Sequence, residues 1–238
     1  DGMPELLLVS RERVSVARIA SARVRAVQTA AWSTLAKRVP VPLRDPLGGA
    51  SIAVGRALVG TSDRGGVALG DALDAPRAIP GGLPIGAGMC APVSTARLAF
   101  DGALPCDSSA APAVRESFDG ASAFDLVAPD GRDRLALATS ADGKLRVRVD
   151  GIERATFDEA GAQVAVFDAD LDGSPEVAFG SDAPDDFITV ATIGDRGARV
   201  LSRIPAPAGV RALAACPPMA DGAGALVAVV GDEVWLVR

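Results

Sequence analysis

Val164-Ala-Val-Phe-Asp-Ala-Asp-Leu-Asp-Gly-Ser-Pro-Glu-Val-Ala-Phe-Gly-Ser181 reads as a strand, an acidic turn and a second strand. Two further strand-like stretches follow, Phe187 to Ile193 and Ala198 to Ile204, making a unit of four. The opening of the chain, Asp1-Gly-Met-Pro-Glu-Leu-Leu-Leu-Val-Ser10, matches Asp172 to Ser181 almost position for position. A repeated four-strand unit is the signature of a repeat architecture, and it is sought before single elements are assigned.

Further copies are Asp130-Gly-Arg-Asp-Arg-Leu-Ala-Leu-Ala-Thr139 and Asp221-Gly-Ala-Gly-Ala-Leu-Val-Ala-Val-Val230, then the weaker Leu47 to Gly55 and, weakest, Arg97 to Gly102. Anchored on the residue that begins each second strand, they fall at Glu5, Ser51, Arg97, Arg134, Glu176 and Ala225, with spacings of 46, 46, 37, 42 and 49. That drifting period excludes a tightly repeating parallel β-helix and suits four-stranded propeller blades. Strand chemistry agrees. Leu145-Arg-Val-Arg-Val149 alternates strictly after the hairpin dipeptide Asp142-Gly143, whereas Leu135 to Ala138 and Val227 to Val230 are continuously apolar, as strands buried on both faces should be.

The expectation is therefore an all-β chain: a β-propeller of four-stranded blades with six repeats recognisable, and six or seven blades in total. Blades begin near residues 1, 39, 83, 121, 162 and 209, and no shift in composition marks a second domain, so residues 1–238 read as one propeller domain. Its ends read as incomplete. The chain opens inside a turn, before the second strand of its first blade, and closes after Glu233 to Val237, the third strand of its last. Flanking sequence or another chain would complete the ring, since open strand edges invite association.

Within Asp168-Ala-Asp170-Leu-Asp172-Gly173-Ser174-Pro-Glu176, carboxylates occupy positions 1, 3, 5 and 9 and glycine position 6, the beginning of an EF-hand-like loop. Calcium takes six to eight oxygens, and alternate carboxylates on a sharply bent loop converge on one point. The bidentate Glu of an EF-hand is missing, because position 12 is Phe179. Without a metal the loop would be a solvated Asp/Gly turn, in which four converging carboxylates repel one another.

This unit resembles the FG-GAP, or VCBS-type, repeat of propellers like that of integrin α-chains, and the resemblance runs along essentially the whole chain. It implies that Asp168, Asp170, Asp172 and Glu176 ligate Ca2+ through side chains and Ser174 through its backbone. Asp1 and Glu5 would be the remnant of a second, truncated metal loop. Elsewhere the acidic positions are replaced, by Leu126 and Ala128 before Asp130 and by Pro217 and Met219 before Asp221. Those copies keep the turn alone.

The chain carries no histidine, which removes the commonest general base and the Ser-His-Asp and Cys-His forms of nucleophilic catalysis. Acidic neighbours such as Asp185 with Asp186, or Asp158 with Glu159, read as solvated loop charges rather than a glycosidase pair. Charges of both signs alternate along a chain of net charge −6, so no phosphate-tracking stripe is present and nucleic acid is not an expected partner. Nor does any apolar run reach the roughly 18 to 20 residues that a membrane helix needs. Trp235 sits in a strand and is expected to pack, while Trp32 follows a strand and is the better candidate for exposure. Cys90 and Cys106 could form a disulfide or be two separate small thiols, and Cys216 stands alone.

The leading expectation is a non-enzymatic, extracytoplasmic (secreted, periplasmic or cell-surface) binding or adhesion module, whose partner is another protein or a surface component. The alternatives are the propeller portion of a carbohydrate-active lyase or hydrolase using Asp, Glu and Arg, and a structural spacer within a larger surface protein.

Overall fold

Strands dominate the chain because its apolar residues come in short alternating or continuous runs punctuated by glycine, proline and aspartate. The computed structural model describes residues 5–10, 12–20, 23–37, 48–53, 56–61, 64–70, 72–79, 83–86, 89–91, 99–105, 114–119, 123–127, 136–141, 143–158, 160–161, 163–169, 172–181, 183–216 and 225–237. The chain divides into two compact units, Asp1–Asp119 and Gly120–Arg238.

In the first unit, β1 (Glu5–Val9), β2 (Arg13–Ala20) and β3 (Arg23–Ala31) form one antiparallel sheet, and Trp32–Leu35 is a single helical turn, α1. The second sheet is β4 (Gly48–Ala53), β5 (Arg56–Thr61), β6 (Gly65–Leu69) and the two-residue β7 (Arg77–Ala78). The third is β8 (Leu83–Gly86), β9 (Met89–Ala91), β10 (Ala99–Pro105) and β11 (Val114–Asp119). Strands pair in chain order throughout, so each sheet is an open meander. Trp32 is 1% exposed in a core with Val14, Val59, Val67, Leu69 and Leu73, which joins the first sheet to the second.

The second unit repeats the plan. Its sheets are β12 (Ala123–Val127), β13 (Ala136–Ala141), β14 (Lys144–Val149) and β15 (Ile152–Phe157); β16 (Gln163–Phe167), β17 (Glu176–Gly180), β18 (Asp186–Gly194) and β19 (Gly197–Ala206); and β20 (Val210–Cys216), β21 (Ala225–Val230) and β22 (Glu233–Val237). Alternation in β14 buries Leu145, Val147 and Val149, as its sequence requires. At the β14–β15 turn, Asp150 (φ 51) and Gly151 (φ 77) are both left-handed, the conformation a tight two-residue hairpin demands.

The middle sheet of this unit is buried on both faces, and this is what stacks the three sheets. Val166, Val177, Phe179, Ala191 and Ile193 meet Ala136, Ala138, Leu145, Val147 and Val149 of the sheet before it. On the other face, Ala165, Phe167, Ala178, Ile188 and Val190 meet Val210, Leu226, Ala228 and Val230 of the sheet after it. Phe157 and Phe179 bring their ring centroids to 4.9 Å across the first of these layers. Each fully buried Val, Leu, Ile or Phe is worth roughly 1.5–3 kcal/mol, so the face-to-face layers outweigh any surface ion pair here. The first strands, β12, β16 and β20, lie against one another in succession. Sheets so stacked, with first strands innermost, are arranged as neighbouring propeller blades are.

Backbone packing at the junction is close. A Cβ on Gly161 would stand 2.5 Å from the Gly180 carbonyl oxygen, and one on Gly180 would meet Val210 Cγ2 at 2.8 Å. Any side chain at Gly161 or Gly180 would force the chain connections of the middle sheet apart.

Two of the weaker repeat assignments need correction. The Leu47 to Gly55 stretch supplies β4, a first strand, and Arg97 to Gly102 leads into β10, a third strand. The second strands begin instead at Arg56 and Met89. Neither stretch carried the acidic turn, and an apolar run does not by itself tell one buried strand of a meander from the next. Asp101 adjoins a break in the β10–β11 register rather than a hairpin. Trp235 packs, partly buried, against the core between the fifth and sixth sheets, its Nε1 donating to Glu233 Oε2 at 2.8 Å, whereas Trp32, the better candidate for exposure, is buried. A residue leaving a strand can still turn inward when a short helical turn brings it over the core, as α1 does.

Candidate metal centre

The acidic loop spans the gap between β16 and β17. Phe167 pairs with Glu176, so the two ends of the loop are neighbours across the ladder. Asp168 and Glu176 are 8% and 4% exposed, buried carboxylates at either end of one tight turn. The Gly173 N–H donates to Asp168 Oδ2 at 3.1 Å, and the Ala169 N–H donates to Glu176 Oε2 at 2.8 Å. Each carboxylate therefore grips backbone from the other arm of the loop. Gly173, at φ 82, makes the bend that a larger residue would resist.

Asp172 is exposed, and its Oδ1 accepts the Ser174 N–H at 2.6 Å, a local turn contact. The Pro175 carbonyl accepts the Ile193 N–H at 2.8 Å, which ties the end of the loop to β18. Asp170 lies outside the described residues. Among the described residues no three acidic, histidine or cysteine side chains are grouped as a metal site. The donor set itself suits a hard cation: all five expected ligands are oxygens, and two of their carboxylates are withdrawn from water, an arrangement that costs free energy unless positive charge or donors compensate it.

The related position in the first sheet is arranged differently. Glu5 is exposed and meets Arg18, with Oε1 2.9 Å from Nη2 and 3.0 Å from Nε. Asp1 lies outside the described residues. The disulfide expectation also falls outside them, since Cys106 is not described and only the backbone of Cys90, in β9, is. Cys216 is a free thiol at the end of β20, and burial pushes its pKa up.

Of the acidic neighbours weighed for catalysis, Asp186 caps a turn. Its Oδ2 accepts from both the backbone N–H and, at 2.8 Å, the hydroxyl of Ser181. Asp158 lies 3.6 Å from Lys144 Nζ, and Glu159 is outside the described residues. Sequence reasoning missed the links between elements. Arg154 on β15 donates to the Asp195 carbonyl at 3.0 Å in the β18–β19 turn of the next sheet, and Trp32 Nε1 donates to the Ser10 carbonyl at 2.8 Å beneath the Arg64 guanidinium. These contacts join residues 41 and 22 positions apart, and no local pattern announces them.

No helix among the described residues is long and apolar enough to cross a membrane. No protein-family model matches the chain, and no curated protein matches it in sequence. Among solved structures, a chain of the "Crystal Structure of Mitotic Checkpoint Complex" matches over 95% of this chain and 70% of its own, at 16% identity and a TM-score of 0.52. BamB from Moraxella catarrhalis matches over 97% of this chain and 70% of its own, at 15% identity and a TM-score of 0.43. At that identity the first likeness is one of fold, and the fold it supports is the β-propeller, in keeping with the stacked meander sheets.

Proposed function

We propose that the chain is a non-enzymatic interaction module of the FG-GAP type, a β-propeller in which the acidic loop between β16 and β17 is held by Ca2+. Asp168, Asp170, Asp172 and Glu176 supply side-chain oxygens and Ser174 a carbonyl. Calcium there would neutralise the converging carboxylates and fix the turn between the first two strands of that sheet. The observation that carries this reading is the burial of Asp168 and Glu176 at the two ends of one loop, each already holding the opposite arm.

The partner is another protein or a surface component, met by the loops that join strands. A rigid scaffold with loops at its ends is suited to that task, and the propeller likeness is compatible with it. An extracytoplasmic setting follows from the metal: an EF-hand-like loop without its bidentate Glu should bind weakly, near the 10⁻⁴–10⁻³ M of extracellular modules.

Titration calorimetry of calcium into the chelator-treated chain tests the reading. One site with a dissociation constant of about 10⁻⁴–10⁻³ M, lost in Asp170→Ala, is expected. No heat beyond dilution, or equal binding by the variant, would remove the metal from the account. Submicromolar affinity would retain the metal and argue against the extracytoplasmic setting.

A further inference from the structure

In four of the six sheets among the described residues, the pair that includes the last strand carries a register irregularity. Between β2 and β3, Ala17 faces Ala26 and Val16 faces Gln28, so Val27 is an extra residue on the outer strand. Between β18 and β19, Ala191 faces Val200 and Val190 faces Ser202, which leaves Leu201 extra. Between β14 and β15 the extra residue is Arg154. The β10–β11 register breaks as well, between Asp101 and Ala103. In the second sheet the last strand, β7, is two residues long, and in the sixth the last strand, β22, pairs with β21 without a break.

By contrast, the second and third strands pair without a break in β1–β2, β5–β6, β13–β14, β17–β18 and β21–β22. Register shifts on first strands occur between Pro84 and Gly86 and between Val210 and Ala212. Every register irregularity therefore lies in a pair that includes a strand ending its sheet, although β1 and β22 also end their sheets and pair without one. The bulged last strands, β3, β11, β15 and β19, pair with one neighbour each.

A strand that ends a sheet presents unpaired N–H and C=O groups, a template for another strand. A bulge twists that template, a very short strand shortens it, and like charges and proline discourage pairing. The longest of these strands, the ten-residue β19, combines three such features: the bulge at Leu201, exposed Arg199 and Arg203, and Pro205, which has no N–H to offer. Arg25 is exposed on β3 beside the bulge at Val27.

We infer that the recurrent outer-strand irregularity is a guard against edge-to-edge association, built into four of the sheets and most fully into the one that ends in β19. Val27 and Leu201, each 47% exposed, are bulge residues first and apolar surface second. The competing explanation is that a bulge merely fits a long outer strand to the twist of its sheet. That explanation predicts lost stability without association when the bulge is removed.

Deleting Leu201 from the full chain restores continuous β18–β19 pairing and flattens the edge. Sedimentation velocity across a hundredfold range of concentration should then show the weight-average mass at least doubling, with new amide-exchange protection along β19. The parent and Leu201→Ser, which keeps the bulge, should show neither change. A folded deletion variant with the parental mass would overturn the inference, as would association of Leu201→Ser. Should the Leu201 deletion not fold, deletion of Val27 is judged by the same two readouts. If neither deletion folds, the bulge is a folding requirement and the guard is refuted.

Discussion

The first and fifth sheets carry the same strand pair with two different treatments of one glutamate. In the first, Glu5 faces Arg18; in the fifth, Glu176 faces Thr192. The surrounding residues keep step. Ala17 and Ala191 are both fully buried, and Ser15 and Thr189 are buried polar residues at matching positions. The charge environment and the burial differ, because β1 ends its sheet while β17 lies inside its own. Glu5 finds its cation on the neighbouring strand, at the surface, whereas Glu176 is buried at the mouth of an acidic loop. The same glutamate position is thus paired with an arginine in one sheet and, under the proposed function, with a metal in the other.

That contrast can be broken or sharpened by substitution. The largest effect is expected away from both glutamates. Trp32→Ala empties the core between the first and second sheets and should cost about 3–5 kcal/mol in denaturant unfolding, by the same amount with calcium or with chelator. A calcium-dependent loss would mean that the metal acts beyond its own sheet.

Next in size is Glu176→Gln. With calcium at ten times its dissociation constant, linkage gives the parent about 1.4 kcal/mol of stabilisation, which the variant should lose while unfolding in chelator like the parent or at slightly higher denaturant. Thr192→Arg should follow, because it transfers the first sheet's solution to the fifth. A guanidinium opposite Glu176 should lower calcium affinity by about tenfold in calorimetry, and unchanged affinity would count against the metal pairing. Arg18→Thr is the smallest, about 0.2–1 kcal/mol for an exposed pair, and should confer no calcium response on the first sheet.

Much of the fold was legible because the sequences of the last three sheets are explicit. The alternation of Leu145 to Val149, the apolar inner strands and the acidic turn each specify a strand or a bend from adjacent residues. Ser51 and Arg97 misled because β4 and β10 carry the apolar content of second strands without an acidic turn to fix their rank. At the candidate site, the spacing of Asp168, Asp172 and Glu176 named the loop but not which carboxylates are buried. That depends on the ladder pair Phe167–Glu176 and on N–H groups that only the folded turn presents. The outer-strand bulges were invisible for a related reason, since an extra residue is defined only against its partner strand.

The most direct test of a metal-held turn in the fifth sheet is thermal unfolding of the chain in excess chelator and in calcium at ten times its dissociation constant, run beside Asp170→Ala. About 1.4 kcal/mol of linkage should raise the parent's melting temperature by roughly 3–6 °C and leave the variant unmoved. Superimposable parent curves in the two conditions would contradict the account.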